Sequence, residues 1–351
     1  MRDLSVDPEV DPNLDVIRGE TALSLACFHG RVDVVKFLLS LPKIIPGNLM
    51  NLALKTACTE GHLEIVRVLL ASNQCKGLHN EYYEAAERNH VEILRALLQY
   101  QRYPRCNEPS MFRICHKYPK TVEMLLQEFD FDPRGREGYD EEVIRATYCY
   151  PEVLKILLRD GRADPTVVDS IVLRAACFAH NVESVRALLE DGRADPAARG
   201  NEAIRTASRC YDPELARILL ADSRVDPSVL DNLALRTAVS YSSEVVKLLL
   251  AHPQVDPTAL NDAAFFTACM TGRVDAARLL FKDERVQQSL LLPGRLHAAL
   301  MGAVTNKQPD VVSFLVKEAN VDPSFNDNEV HLHLLHLLFS FLPNAADMDR
   351  H

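Results

Sequence analysis

Asn201-Glu-Ala-Ile-Arg-Thr-Ala-Ser-Arg-Cys-Tyr-Asp-Pro-Glu-Leu-Ala-Arg-Ile-Leu-Leu220 is the stretch on which the reading of the fold turns. Ala203, Ile204 and Ala207 recur at i, i+1 and i+4 and form the apolar face of a short helix, with Asn201 placed to accept hydrogen bonds from its first N–H groups. Cys210-Tyr-Asp-Pro213 interrupts that helix. Proline at the start of a second helix forfeits nothing, because its missing N–H would have had no partner there. Glu214 sits in the first turn, where a negative charge complements the helix dipole, and Leu215, Ile218 and Leu219 make the buried stripe. Ser223-Arg-Val-Asp-Pro227 then ends the unit: Pro227 drives Asp226 out of the helical region, so the chain leaves extended.

The same unit recurs in both directions. Leucine-rich blocks such as Val35-Lys-Phe-Leu-Leu39 and Val66-Arg-Val-Leu-Leu70 repeat the second helix. A small residue marks the first helix at Ala26, Ala57, Ala86, Cys115, Ala146, Ala176, Ala207, Ala238, Ala268 and Ala303, a period of about 31 residues. Asp-Pro breaks recur at 132–133, 164–165, 195–196, 226–227, 256–257 and 322–323. Two short helices cannot bury their apolar faces alone, so the period predicts an all-α stack in which each unit packs only on its neighbours. The expected organisation is an N-terminal connector or half-repeat over 1–18, a repeat array over 19–325, and a C-terminal capping helix and tail over 326–351. Between Gln101 and Ser110, and again between Asp283 and Gly294, the Asp-Pro connector is missing and bends are expected.

Gly19-Glu-Thr-Ala-Leu-Ser-Leu-Ala-Cys-Phe-His-Gly-Arg-Val-Asp-Val-Val-Lys-Phe-Leu-Leu39 resembles an ankyrin repeat, and Gly61-His62 and Gly192-Arg-Ala-Asp195 resemble that family's inner turn and connector. The resemblance spans about ten units. It implies a curved solenoid of helix-turn-helix repeats with short extended connectors, acting as a non-catalytic scaffold that binds a partner protein on its concave face without a cofactor. The alternative is a targeting array for an enzyme or a nucleic-acid-associated regulatory complex. Most units replace the family's Thr-Pro-Leu-His opening with Asn or Asp followed by Ala-Leu/Ile-Arg-Thr-Ala, and the period falls short of the usual 33, so abbreviated connectors are expected.

Composition agrees with a packed, water-facing chain. Of 351 residues 47% are hydrophobic and 25% charged, which excludes global disorder. A net charge of −10 opposes a phosphate backbone, so nucleic acid is not an expected partner. The nine cysteines are odd in number and scattered, unlike a secreted disulfide framework, and the acidic, proline-containing start is not expected to serve as a signal peptide. No run of eighteen apolar residues occurs. A monomer in the cytoplasm or nucleus, with no membrane contact, is the expectation.

Chemistry-bearing motifs are sparse. His331, His333 and His336 are the nearest approach to a metal cluster, but on a helix at most two converge, so no metal is expected. Cys27, Cys58, Cys177 and Cys269 each follow the small marker residue and read as a packing niche. No phosphate loop, nucleophile elbow or zinc-protease motif is present, and no catalytic residue is expected. Lys55, Arg113, Arg145, Arg174, Arg205 and Arg236 form a basic row that reads as a structural ladder, interleaved by connector carboxylates Asp132, Asp164, Asp195 and Asp226. Tyr148, Tyr150, Tyr211 and Tyr241 gather in the turns between paired helices. Two residues after each marker the side chains share no chemistry, which implies solvent. The large ones there, Phe28, Tyr148, Phe178, Arg209 and Met270, are of types enriched at interfaces and are the expected partner-binding residues, on what the resemblance makes the concave side.

Overall fold

The computed structural model describes residues 21–41, 48–73, 75, 78–100, 108–134, 142–211 and 213–323. Among them are twenty-one helices and no strand. The chain divides into two compact units, Met1–Asp164 and Pro165–His351. The expected 1–18 segment and 326–351 cap lie outside the described residues, as do His331, His333, His336 and most of the 101–110 segment.

In the first unit the helices are α1 (Ala22–Phe28), α2 (Val32–Leu39), α3 (Asn48–Glu60), α4 (Leu63–Ala71), α5 (His79–Glu87), α6 (Val91–Tyr100), α7 (Glu108–Cys115), α8 (Pro119–Glu128), α9 (Glu142–Arg145) and α10 (Pro151–Asp160). The inner helices α1, α3, α5, α7 and α9 pack in succession as one layer, and α2, α4, α6, α8 and α10 as a second. The second unit holds α11 (Val167–Phe178), α12 (Val182–Asp191), α13 (Ala198–Ala207), α14 (Pro213–Leu220), α15 (Val229–Ala238), α16 (Ser243–Leu250), α17 (Ala259–Met270), α18 (Val274–Phe281), α19 (Glu284–Leu290), α20 (Arg295–Thr305) and α21 (Pro309–Lys317). There α11, α13, α15, α17 and α20 make one layer and α12, α14, α16, α18 and α21 the other. Helix α19 fills the stretch expected to be a bend, and the layers pass over it from α17 to α20 and from α18 to α21, so it is an insertion into the period.

The marker residues sit where the layers touch. All are buried except Ala146, which is half-buried. The buried place in that repeat is Thr147, whose hydroxyl donates to the Ile144 carbonyl at 2.6 Å. Counting from Thr147 puts Arg145 at the same distance as the other members of the basic row, and corrects the register there by one residue.

Each first helix of the second unit from α11 to α17 opens in an unexpected way. Val168-Asp-Ser170, Arg199-Gly-Asn201, Leu230-Asp-Asn232 and Leu260-Asn-Asp262 all have φ near +55°, a full left-handed turn, before the right-handed helix begins. For residues other than glycine this conformation costs about 1–2 kcal/mol each, so it persists only where neighbours hold it. For the first three of these turns the holding groups come from the basic row. Arg174 donates through Nε to the Asp169 carbonyl and through Nη2 to that of Val168, both at 3.0 Å. Arg205 does the same to Gly200 and Arg199, and Arg236 to Asp231 and Leu230.

Arg174, Arg205 and Arg236 of the basic row are therefore backbone clamps. Of the connector aspartates expected to interleave with that row, Asp132, Asp195 and Asp226 each accept the N–H two residues on and close their own turns, as Asp256 also does. The reason is geometric, since the left-handed turn presents two carbonyls to a planar guanidinium five and six residues later, within reach of one fork. Asn201 also departs from expectation. It directly precedes the right-handed helix, but its Oδ1 accepts the N–H of Asp226 in the next repeat, at 2.8 Å. Ser170 holds Asp195 and Asn232 holds Asp256 in the same way, at 2.8 and 2.9 Å.

Candidate protein-interaction surface

The place two residues beyond the marker falls at or near the C-terminal end of each first helix, where the helix has run past its neighbours. Phe28 ends α1 and is 50% exposed, Phe178 ends α11 at 79%, and Met270 ends α17 at 43%. Arg209, just past α13, is exposed as well. In the second unit the successive packing of α11, α13, α15 and α17 sets Phe178, Arg209, Ser240 and Met270 at one level of the inner layer. Tyr148 differs: with the register set by Thr147 the exposed place belongs to Cys149, and Tyr148 is half-buried.

Two of these side chains also have structural company. Phe28 stands edge-on to His29 at 5.1 Å and lines a groove of about 290 Å³ with Leu52, Lys55, Thr56, Thr59 and Glu60. Met270 lies over Gly302 of the next repeat, where an added Cβ would come within 3.1 Å of its Cγ. Phe178 is more exposed than Phe28 or Met270. Beside this row run the turn tyrosines: Tyr211, 75% exposed, meets Tyr241 edge-to-face at 6.4 Å, and Tyr150 meets His116 at 5.1 Å.

The first unit locks its turns by a chain of side chains reaching back one repeat. His62 Nε2 contacts the Phe28 carbonyl and His90 Nε2 the Thr59 carbonyl, both at 3.2 Å, and the Tyr118 hydroxyl donates to the Glu87 carbonyl at 2.8 Å. For His62 and His90 the acceptors are the carbonyls of the very residues at the outward place, Phe28 and Thr59. In the same unit Lys55 pairs with Glu84 at 3.2 Å rather than clamping a backbone turn. Arg145 and Arg113 are exposed.

A second arginine series follows the ends of the second helices, at the connectors. Asp160–Arg162, Asp191–Arg193, Asp222–Arg224 and Asp283–Arg285 are paired two residues apart at the end of the second helix. Arg224 reaches back to the Gly192 and Ala194 carbonyls and Arg285 to that of Val255. The arginine hydrogen bonds hold the Asp160, Asp222 and Asp283 carboxyls below the usual carboxylate range. The sequence signal for this series is an Asp-x-Arg spacing that repeats with the period of the markers.

Among the described residues no group of three or more His, Cys, Asp and Glu could hold a metal ion, and no helix is long and apolar enough to cross a membrane. Paired helices in two layers, a small buried marker and a Gly-His turn are joined by one further finding: the family model described as "Ankyrin repeats (3 copies)" matches residues 2–80 and 234–329. The chain belongs to the ankyrin-repeat family. Ankyrin repeats are generally protein-interaction modules, and only they are identified along the chain. The human ASB11 ankyrin repeat domain is similar at 15% identity, over 70% of this chain and 96% of that one, with a TM-score of 0.30 that transfers nothing further. No curated protein matches the chain.

Proposed function

We propose that this ankyrin-repeat chain is a non-catalytic scaffold that binds a partner protein through the outward side chains at the ends of its first helices, with Phe178 and Arg209 at the centre of that surface and Met270, Phe28 and Tyr148 as further contacts. The observation that supports it is the exposure of Phe178, 79%, at the end of a helix whose Val172, Leu173, Ala176 and Cys177 are all buried. A large aromatic left in water at a repeat position, beside an exposed arginine in the next repeat, brings together two of the residue types that carry binding energy at protein interfaces. Isothermal titration with the partner recovered by affinity purification tests it. Phe178→Ala and Arg209→Ala each weaken binding by about 1 kcal/mol or more while the melting temperature stays put. Unchanged affinity in both variants moves the interface to Tyr211 and Tyr241.

A further inference from the structure

Six of the described cysteines, Cys27, Cys58, Cys75, Cys115, Cys177 and Cys269, are buried among apolar side chains, and that burial suppresses their ionisation. Cys149 is exposed. Cys210 is neither. It closes the turn after α13 and is 3% exposed, yet its Sγ lies 2.9 Å from Nδ1 of His180, in the preceding repeat, and 3.4 Å from the Thr206 carbonyl. His180 is itself exposed, on a left-handed residue with φ of 56°. Other ionisable side chains near the pair include Cys177 on α11, whose thiol is also influenced by Cys210, Glu202 on α13, which is held by Arg174, and Arg209 and Tyr211, which flank Cys210 in the chain.

A thiol within hydrogen-bonding reach of an imidazole nitrogen is the arrangement that makes sulfur nucleophilic at neutral pH, because the base takes the proton as the sulfur attacks. We propose that Cys210 and His180 form a modification site, at which an imidazole-activated thiol reacts with small soft electrophiles and with peroxides. The S–H proton passes to Nδ1, which requires the imidazole tautomer protonated on Nε2. With an alkyl iodide the S–C bond forms, the C–I bond breaks and iodide leaves. With hydrogen peroxide the S–O bond forms and the O–O bond breaks. The leaving hydroxide takes the proton from the imidazolium as water, and the sulfur, oxidised by two electrons, becomes a sulfenic acid while the peroxide is reduced. Because Cys210 is 3% exposed, the site requires that a reagent reach the sulfur when the exposed His180 ring turns aside.

The test is iodoacetamide labelling of the full native chain between pH 6 and 8, read cysteine by cysteine by peptide mass, with exposed Cys149 as the internal reference. The expected result is a Cys210-to-Cys149 rate ratio that rises as pH falls, and a loss of about tenfold or more in the Cys210 rate at pH 6.5 in His180→Asn, with Cys149 unaffected. Asparagine tolerates the left-handed conformation, so that variant retains the turn. A ratio that is flat or falls with decreasing pH overturns the proposal in the wild-type chain alone. So does labelling of Cys210 only in step with buried Cys177 and Cys269, or an unchanged rate in a folded His180→Asn.

Discussion

The two units solve one problem at opposite ends of the same helix. In Met1–Asp164 the side-chain-to-backbone links seen between repeats are thrown across the inner turn, His62 and His90 reaching back to the carbonyls of Phe28 and Thr59. In Pro165–His351 they lie at the connector, where a left-handed turn is clamped by Arg174, Arg205 or Arg236 and a polar side chain at its third residue seizes the next repeat's aspartate amide. A helix pair of this length can thus be joined to its neighbour through either end.

The contrast is broken most severely at Asp262. This carboxylate is fully buried at the position where other repeats carry Asn or Ser, and its own repeat has Phe266 in place of the clamp arginine. Arg295 supplies the missing guanidinium from the following repeat, bonding Asp262 and, at 3.1 Å, Asn261, while Ser289 donates to Asp262 at 2.7 Å. Removing one partner of a buried pair costs about 3–5 kcal/mol, so Arg295→Ala should lower the denaturation midpoint more than loss of any single clamp arginine, with lost amide protection centred on 259–305. Protection unchanged in that segment would show that the carboxylate finds another partner.

Next in size are the clamps themselves. Arg205→Ala or Arg236→Ala strips two charge-assisted bonds from a strained turn, an expected loss of about 1.5–3 kcal/mol by chemical denaturation. Lysine should restore little of it, since a point charge cannot bridge two carbonyls as a planar fork does. Lys55→Ala, at the same repeat position in the first unit, should cost less than about 1 kcal/mol, because it removes only a half-exposed ion pair. Equal losses at Lys55 and Arg205 would erase the distinction between the units.

On the first unit's side the sharpest probe is Gly61→Ala. Gly61 has φ +83°, and a Cβ there would stand 2.7 Å from the His90 ring, so the substitution both strains the turn and displaces its lock. A loss of about 1–2 kcal/mol is expected, and in a His90→Ala background the steric part should vanish while the strain remains.

The smallest effect is that of acid. Asp160 in one unit and Asp222 and Asp283 in the other have carboxyls depressed by their arginines, so each contributes stability fully present above about pH 4, the unfolded carboxyl's value, and lost as pH falls through the lower folded one. Because these pairs occur in both units, acid unfolding should not separate them. A midpoint that shifts in Asp222→Asn but not in Asp160→Asn would show otherwise.

The markers, the Leu-Leu blocks and Pro213 make the helices legible in the sequence, because burial of a periodic stripe and a missing N–H are local facts. The register at Ala146 is not legible in that way: a one-residue shift within a short helix leaves the composition of the repeat unchanged, and only packing distinguishes Ala146 from Thr147. The role of Arg205 is hidden for another reason. Its partners are backbone carbonyls freed by a left-handed turn, and no side chain in Arg199-Gly-Asn201 announces three successive positive φ angles. Asn201 reads as a cap on its own helix because its true partner, the Asp226 amide, is 25 residues away. The meeting of Cys210 and His180, 30 residues apart, is hidden by the same kind of separation.

The link from Asn201 to Asp226 has a counterpart from Ser170 to Asp195 at the same separation, 25 residues, and each begins and ends at equivalent points of the period. A duplication or deletion whose crossover falls anywhere in that register therefore adds or removes one whole period with both flanking links re-formed. Chain length in this part of the molecule is consequently a heritable variable that genetic exchange can change in steps, without inventing a new junction at any of them.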